Sequence, residues 1–246
     1  GSSGSAHSDM VLFDGFEVSR VLSARSVWFI GSSNLRRVFK VIRDAVTNQA
    51  RLVDAPEHFP QKWQSKQHNI SLYYNYIETS ADVSQLLMDV AKNKQRLASD
   101  VIVISPAVHS CFHIYKLREK DSWEVVDTRL IKEKQIIHQI GSWLLDHGLA
   151  SKTVIESAPA FNLNGAHLFL AWYDEMLRTY TERTKIPFIS GYKFSRDPST
   201  YMRNACLKPQ CDSHYPVCKI HFAEDGVRAH AAFHLTAIAE VLHAKT

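Results

Sequence analysis

The clearest chemical signal in this chain is a group of basic residues at the start of a predicted helix. Val27–Ile30 is a run of four apolar residues typical of a strand buried on both faces, and the turn Gly31-Ser32-Ser33-Asn34 follows it. A serine or asparagine side chain of this turn can accept hydrogen bonds from the first free helix amides. Arg36, Lys40 and Arg43 then fall on one helix face, where cations near the N-terminus oppose the helix dipole. A bound anion would remove that conflict, and a solvated basic face is the alternative.

Two segments of the chain carry its positive charge. The net charge is +4, but residues 25–66 contain eight Lys or Arg against three acids, and residues 183–219 contain seven against two. Each segment is therefore +5, and the rest of the chain is −6. If the fold brings the two segments together, they form a face for a polyanion such as RNA. The predicted phosphate contacts are Arg36, Arg37, Lys40, Arg43, Lys193, Arg196, Arg203 and Arg228, with Tyr192, Phe194 or Tyr201 available to stack on unpaired bases.

Three of the four cysteines lie close together near the C-terminus. Cys206, Cys211, His214, Cys218 and His221 have the spacing C-x4-C-x2-H-x3-C-x2-H, and thiolate and imidazole are ligands that zinc prefers. The spacing matches none of the common zinc motifs, so free thiols with surface histidines are the expected state, and zinc stays the alternative. We predict no metal and no cofactor. The low cysteine content favours a reducing compartment.

The elements that must position these residues alternate between strand and helix. Predicted strands at 27–30, 70–77, 101–104, 153–157 and 186–189 are separated by predicted helices, of which the later ones cover 82–97, 129–147, 166–183 and 227–244. This order predicts an α/β fold, a three-layer α/β/α sandwich with a central parallel sheet. Ligands of such sheets bind at the carboxyl ends of the strands, where the turn at Gly31 and the basic loop at 191–221 both lie.

The chain divides into three predicted parts. Residues 1–5, Gly-Ser-Ser-Gly-Ser, resemble an expression scar, residues 6–24 form an N-terminal arm, and residues 25–246 form one domain. No segment has the roughly 18 uninterrupted apolar residues that a membrane span requires.

The order of these motifs resembles the SGNH (GDSL-like) hydrolases. The resemblance rests on an apolar strand ending in Gly-x-Ser near the N-terminus, three further strand–helix units, and a C-terminal Asp-Gly-Val before a helix. It implies that Ser33 occupies the position of the nucleophile and Asp225 that of the triad aspartate. The histidine position holds Arg228, which cannot accept a proton near neutral pH. The resemblance therefore implies a degenerate site that retains Ser33, Asp225 and Arg228 as remnants, and His109 or His230 would have to replace the missing base.

Within that superfamily, the block Trp28–Arg37 and the end Asp225–Arg228 resemble the C-terminal domain of the Oskar family of insect germ-plasm organisers. The resemblance implies a non-enzymatic domain that binds messenger RNA, including 3′ untranslated regions. It also implies assembly of germ granules in the cytoplasm, with granule proteins as further partners and with no small-molecule substrate and no membrane contact. Two alternatives stay open: an active esterase or acyltransferase using Ser33, and a protein-interaction module using the degenerate pocket.

Overall fold

The structure is a computed structural model that describes residues 14–48, 60–91, 97–106, 110, 113–114, 122–159, 166–196 and 224–244. The strands are β1 (Ser26–Gly31), β2 (Gln61–Ser65), β3 (Ile70–Tyr76), β4 (Val101–Ser105), β5 (Thr153–Glu156) and β6 (Phe188–Ile189). The helices are α1 (Gly15–Leu22), α2 (Ser33–Thr47), α3 (Ser80–Ala91), α4 (Trp123–Asp146), α5 (Ala166–Thr184), α6 (Gly191–Arg196) and α7 (Glu224–His243). A short 3-10 helix, Ala150–Lys152, leads into β5.

The strands form one sheet in the order β2-β3-β1-β4-β5-β6. All neighbouring pairs are parallel except β2 with β3. Strand β1 lies in the interior of the sheet, and its residues Val27–Ile30 are fully buried. The continuous apolar run is explained by this position, because helices cover both faces of the strand.

Two helical layers enclose the sheet. Helices α1, α2 and α7 pack on one face against alternate strand residues such as Val27, Phe29 and Val103. Helices α3, α4 and α5 pack on the other face against Trp28, Ile30 and the remaining alternate positions. The predicted α/β/α sandwich is confirmed. Among the described residues, no helix is both long enough and apolar enough to cross a bilayer.

The structure departs from the sequence-based prediction at three places. Residues 61–65, where no strand is predicted from the sequence, form edge strand β2, joined to β3 by a turn in which Asn69 has a φ of 52°. The segment expected as an arm contains α1, whose Val18 and Leu22 belong to the core. The basic loop begins with helix α6. The sheet is therefore mostly parallel, with one antiparallel edge pair.

The strand register aligns three residues at the carboxyl edge of the sheet. Gly31 of β1 pairs with Ser105 of β4, and Ile104 pairs with Ile155 of β5, so Glu156 lies beside Ser105. Side chains alternate along a strand, so these three positions face the layer of α2 and α7. A site at the carboxyl edge of that face is therefore lined by Gly31, Ser105 and Glu156.

Candidate functional site

The turn from β1 to α2 places Ser33 at the edge of the sheet. Ser33 is the first residue of α2 and is 8% exposed. A Cβ atom at Gly31 would lie 2.7 Å from Cδ2 of Leu35 and 3.2 Å from Cβ of Ser105. Both distances are shorter than ordinary contacts, so the helix approaches the sheet this closely because residue 31 has no side chain.

Tyr74 of β3 fixes the backbone of this turn. Its buried hydroxyl lies 2.9 Å from the carbonyl oxygen of Gly31 and 3.1 Å from that of Ser32, and it donates to them. Burial raises the pKa of Tyr74 well above its ordinary value, although the nearby charge of Arg36 lowers it. The phenol therefore stays protonated and remains a donor.

Several buried polar atoms around the turn have no hydrogen-bond partner within the described part of the chain. They are Oγ of Ser32, both amide atoms of Asn34 and Oγ of Ser105. Ser32 occupies the N-cap position of α2, but its side chain makes no capping hydrogen bond, contrary to one option of our prediction. Buried polar atoms usually have hydrogen-bond partners, so these atoms of the turn are available for further hydrogen bonds.

The C-terminal remnant lies at the start of α7. Asp225 is in the first turn of the helix, and its side chain lies outside the described residues. Arg228 is exposed. The structure therefore keeps an arginine where a triad histidine is expected, and His109 lies outside the described residues.

The predicted phosphate contacts do not form one exposed face. Arg36 and Lys40 are 5% and 3% exposed, because α2 packs between α1, α7 and the sheet. Nη2 of Arg43 lies 2.6 Å from Oδ1 of Asp44, in an ion pair. The expectation of a basic helix face open to phosphate is therefore wrong for Arg36 and Lys40, since a buried cation cannot reach a polyanion at the surface.

The other predicted RNA contacts differ in their accessibility. Lys193 and Arg228 are exposed, and Arg37 and Tyr192 are partly buried. Phe194 is buried and stacks on His230, with ring centroids 5.1 Å apart, so it is not available to a base. The side chain of Arg196, and Tyr201 and Arg203, lie outside the described residues, as does the cysteine-rich group Cys206, Cys211, His214, Cys218 and His221. RNA binding stays a prediction.

A buried ionisable cluster lies next to this region. Glu156, the last residue of β5, is hydrogen-bonded through Oε1 to Nε2 of His230, and its Oε2 lies 3.3 Å from Nε2 of His234. The two histidines are one helical turn apart on α7, and all three side chains are at most 1% exposed. Nδ1 of His234 donates to the carbonyl oxygen of His230 at 2.9 Å. We call Glu156, His230 and His234 the Glu–His–His cluster.

Burial and mutual charge set the ionisation of this cluster. Burial raises the pKa of Glu156, but the two histidines outweigh it and hold that pKa far below its ordinary value. Burial lowers the pKa of His230, whereas at His234 the charge of Glu156 outweighs burial and raises the pKa. The two imidazoles therefore stabilise the charged form of the Glu156 carboxylate.

From the sequence, His230 is predicted only as a substitute base, and its partners Glu156 and His234 are not predicted. The signals were present: Glu156 is an acid at the end of an apolar strand, and His230 and His234 have the i, i+4 spacing of one helix face. The two signals are 74 residues apart, and only the fold joins them.

Comparison with known proteins supports the fold. No protein-family model and no curated protein sequence matches the chain. A catalytic mutant of Axe2, an acetylxylan esterase from Geobacillus stearothermophilus, matches with a TM-score of 0.53 and 14% identity, over 88% of this chain and 94% of that one. The acetyl xylan esterase AlAXEase matches with a TM-score of 0.55 and 14% identity, over 87% of this chain and 99% of that one. The lipase/acylhydrolase from Enterococcus faecalis matches with a TM-score of 0.52 and 12% identity, over 88% of this chain and 96% of that one.

These matches identify the fold as that of the SGNH/GDSL-like esterases. The expectation that the chain is not an enzyme is contradicted, because the structures that share its fold are esterases and an acylhydrolase. The matches lend no support to an Oskar-type identity or to a germ-granule role, and both remain predictions.

Proposed function

We propose that this chain is an ester hydrolase in which the hydroxyl of Ser33 attacks an acyl ester. The observation that carries the proposal is the position of Ser33, directly after the buried strand β1 and at the first residue of α2. A serine there is close to the free amides of the helix N-terminus, which favour negative charge. The esterase fold of the matched structures supports the same reaction class.

Polar groups beside Ser33 suit the charge that develops during acyl transfer. The amide nitrogen of Asn34 is buried and has no hydrogen-bond partner among the described residues. A donor fixed in a region sheltered from water stabilises an oxyanion better than one exposed to solvent. In this proposal, Asn34 and the first helix amides hold the oxyanion, and Tyr74 keeps the turn in place.

The proton of Ser33 must go to a base other than residue 228. A guanidinium has no lone pair to accept a proton, so Arg228 cannot take the role of the triad histidine. The candidates are His109, in the segment that leaves the carboxyl end of β4, and His230 of the Glu–His–His cluster. Either imidazole would return the proton to the leaving alcohol.

Hydrolysis of p-nitrophenyl acetate tests the proposal. Ser33→Ala should lower kcat/KM by at least about 10³-fold, since removal of a nucleophile costs up to about 10⁶-fold in a complete triad. Ser142→Ala, on the exposed side of α4, is the matched control and should leave turnover unchanged. His109→Ala and His230→Ala identify the base, because only the one that accepts the proton should match the loss in Ser33→Ala.

A fluorophosphonate probe gives an independent measure, because it forms a covalent bond with an activated serine. Mass spectrometry should find the probe on the peptide that contains Ser33 in the wild-type chain and in Ser142→Ala, but not in Ser33→Ala. Turnover that survives in Ser33→Ala, or the absence of both turnover and labelling in the wild-type chain, would refute the proposal.

A further inference from the structure

The Glu–His–His cluster brings together three side chains of the types that bind transition metals. Two imidazoles and one carboxylate converge from β5 and α7, and their ligand atoms all lie within 4.8 Å of one another. All three side chains are buried, which distinguishes the cluster from the exposed acidic groups that are common on protein surfaces. Imidazole and carboxylate together suit Zn²⁺.

The orientation of His234 is that of a metal ligand. Its Nδ1–H donates to the backbone carbonyl of His230, so Nε2 points toward Glu156. Metal-binding histidines usually donate their second ring nitrogen to a carbonyl or carboxylate in this way, because the hydrogen bond fixes the tautomer and the ring. The arrangement leaves Nε2 as the coordinating atom.

Two atoms of the cluster are also spaced as ligands of one ion. Nε2 of His234 and Oε2 of Glu156 face each other at 3.3 Å. Two donors that are each about 2.0–2.1 Å from a tetrahedral zinc ion lie about 3.3–3.4 Å apart. The observed separation therefore fits an edge of a tetrahedral site.

We propose that Glu156, His230 and His234 bind one Zn²⁺ ion; His230 is then a metal ligand, and His109 is the remaining candidate for the base that serves Ser33. On binding, the proton of His230 moves from Nε2 to Nδ1 and a proton on Nε2 of His234 is released to water. Nε2 of His230 then exchanges its hydrogen bond with Oε1 for coordination. Phe194 covers His230, and a Cβ atom at Gly191 would lie 3.2 Å from Oε1 of Glu156, so the site is enclosed. An enclosed ion cross-links α7 to β5 and is taken up as the chain folds.

Refolding with and without metal tests this site. The chain is unfolded in guanidinium chloride with a chelator and refolded with or without Zn²⁺, and bound zinc and Tm are then measured. The wild-type chain should retain about one equivalent of zinc and melt at a higher temperature than the metal-free chain. Glu156→Gln and His234→Ala should weaken zinc binding by at least about 100-fold. His243→Ala, an exposed histidine on the same helix, is the control and should bind zinc normally.

Cobalt substitution keeps the test decisive if these variants do not fold. Co²⁺ bound by the wild-type chain should show the visible bands of a tetrahedral site without thiolate charge-transfer bands, because no cysteine coordinates it. Thiolate bands, together with loss of metal in Cys211→Ser, would place the ion at the cysteine-rich segment and overturn the proposal. A refolded wild-type chain that retains no zinc would overturn it as well.

Discussion

Replacing Tyr74 by phenylalanine removes the hydroxyl that holds the serine turn. The side chain is fully buried on β3, and its phenol donates to the carbonyl oxygens of Gly31 and Ser32 at 2.9 and 3.1 Å. Phenylalanine keeps the ring and its contact with Phe39, where the centroids are 5.7 Å apart. The substitution therefore isolates the two hydrogen bonds from the packing.

The structure also sets the size of the effect. Gly31 O still accepts from the amide of Ile77 at 3.1 Å, and Ser32 O still accepts from the amide of Arg36 at 3.1 Å. Neither carbonyl is left without a partner, so the cost should be that of an ordinary hydrogen bond, about 1 kcal/mol, and not the larger penalty for an orphaned buried group. For a domain of this size, that corresponds to a fall in Tm of about 2–4 °C.

Urea unfolding followed by circular dichroism measures this change. Tyr73→Phe is the matched control, since Tyr73 is the neighbouring residue of β3 and its side chain packs on the opposite face of the sheet. Tyr74→Phe should lower the free energy of unfolding by about 1 kcal/mol, with the m-value unchanged. Equal stability of Tyr74→Phe and the wild-type chain would refute the assignment of the phenol as the support of the turn.

Two further predictions concern pH and RNA. Burial raises the pKa of Tyr74 above its ordinary 10.0, so the folded chain keeps a proton that the unfolded chain releases. The contribution of Tyr74 to the free energy of unfolding is therefore fully present below pH 10 and decreases above it. Unfolding titrations above that pH should therefore show a steeper loss of stability for the wild-type chain than for Tyr74→Phe, and parallel curves would contradict this. If the chain binds RNA, the exposed Lys193 and Arg228 are the described cations to test, and changing both to Glu should weaken binding of a labelled single strand and flatten its salt dependence. Equal affinities of the variant and the wild-type chain, measured by fluorescence anisotropy of the labelled strand, would exclude these contacts.

The buried positions of Arg36 and Lys40 change how RNA binding can be examined. Charge reversal at either residue would place a carboxylate in the interior between α2 and its neighbours, where an unpaired charge is strongly destabilising. Loss of binding in such a variant would report unfolding and not a lost phosphate contact. Only exposed cations give an interpretable result.

The sequence alone determined the layered fold because its signals are local. The buried run Val27–Ile30 predicts an interior parallel strand, and Gly148, with a φ of 65°, ends α4 as its position predicts. These features depend on residues that are neighbours in the chain. Strand β2 was missed because Gln61–Ser65 is a half-exposed edge strand and carries little apolar alternation.

Tertiary structure decided which charged residues are buried and which of them meet. The spacing of Arg36 and Lys40 places them on one helix face, but only the packing of α2 against α1 and α7 shows that this face is covered. Glu156 and His230 are 74 residues apart, and the parallel order of β4 and β5, with α7 folded back over the sheet, brings them into contact. Periodicity reports which residues share a face, and contacts between distant segments arise only when the faces pack together.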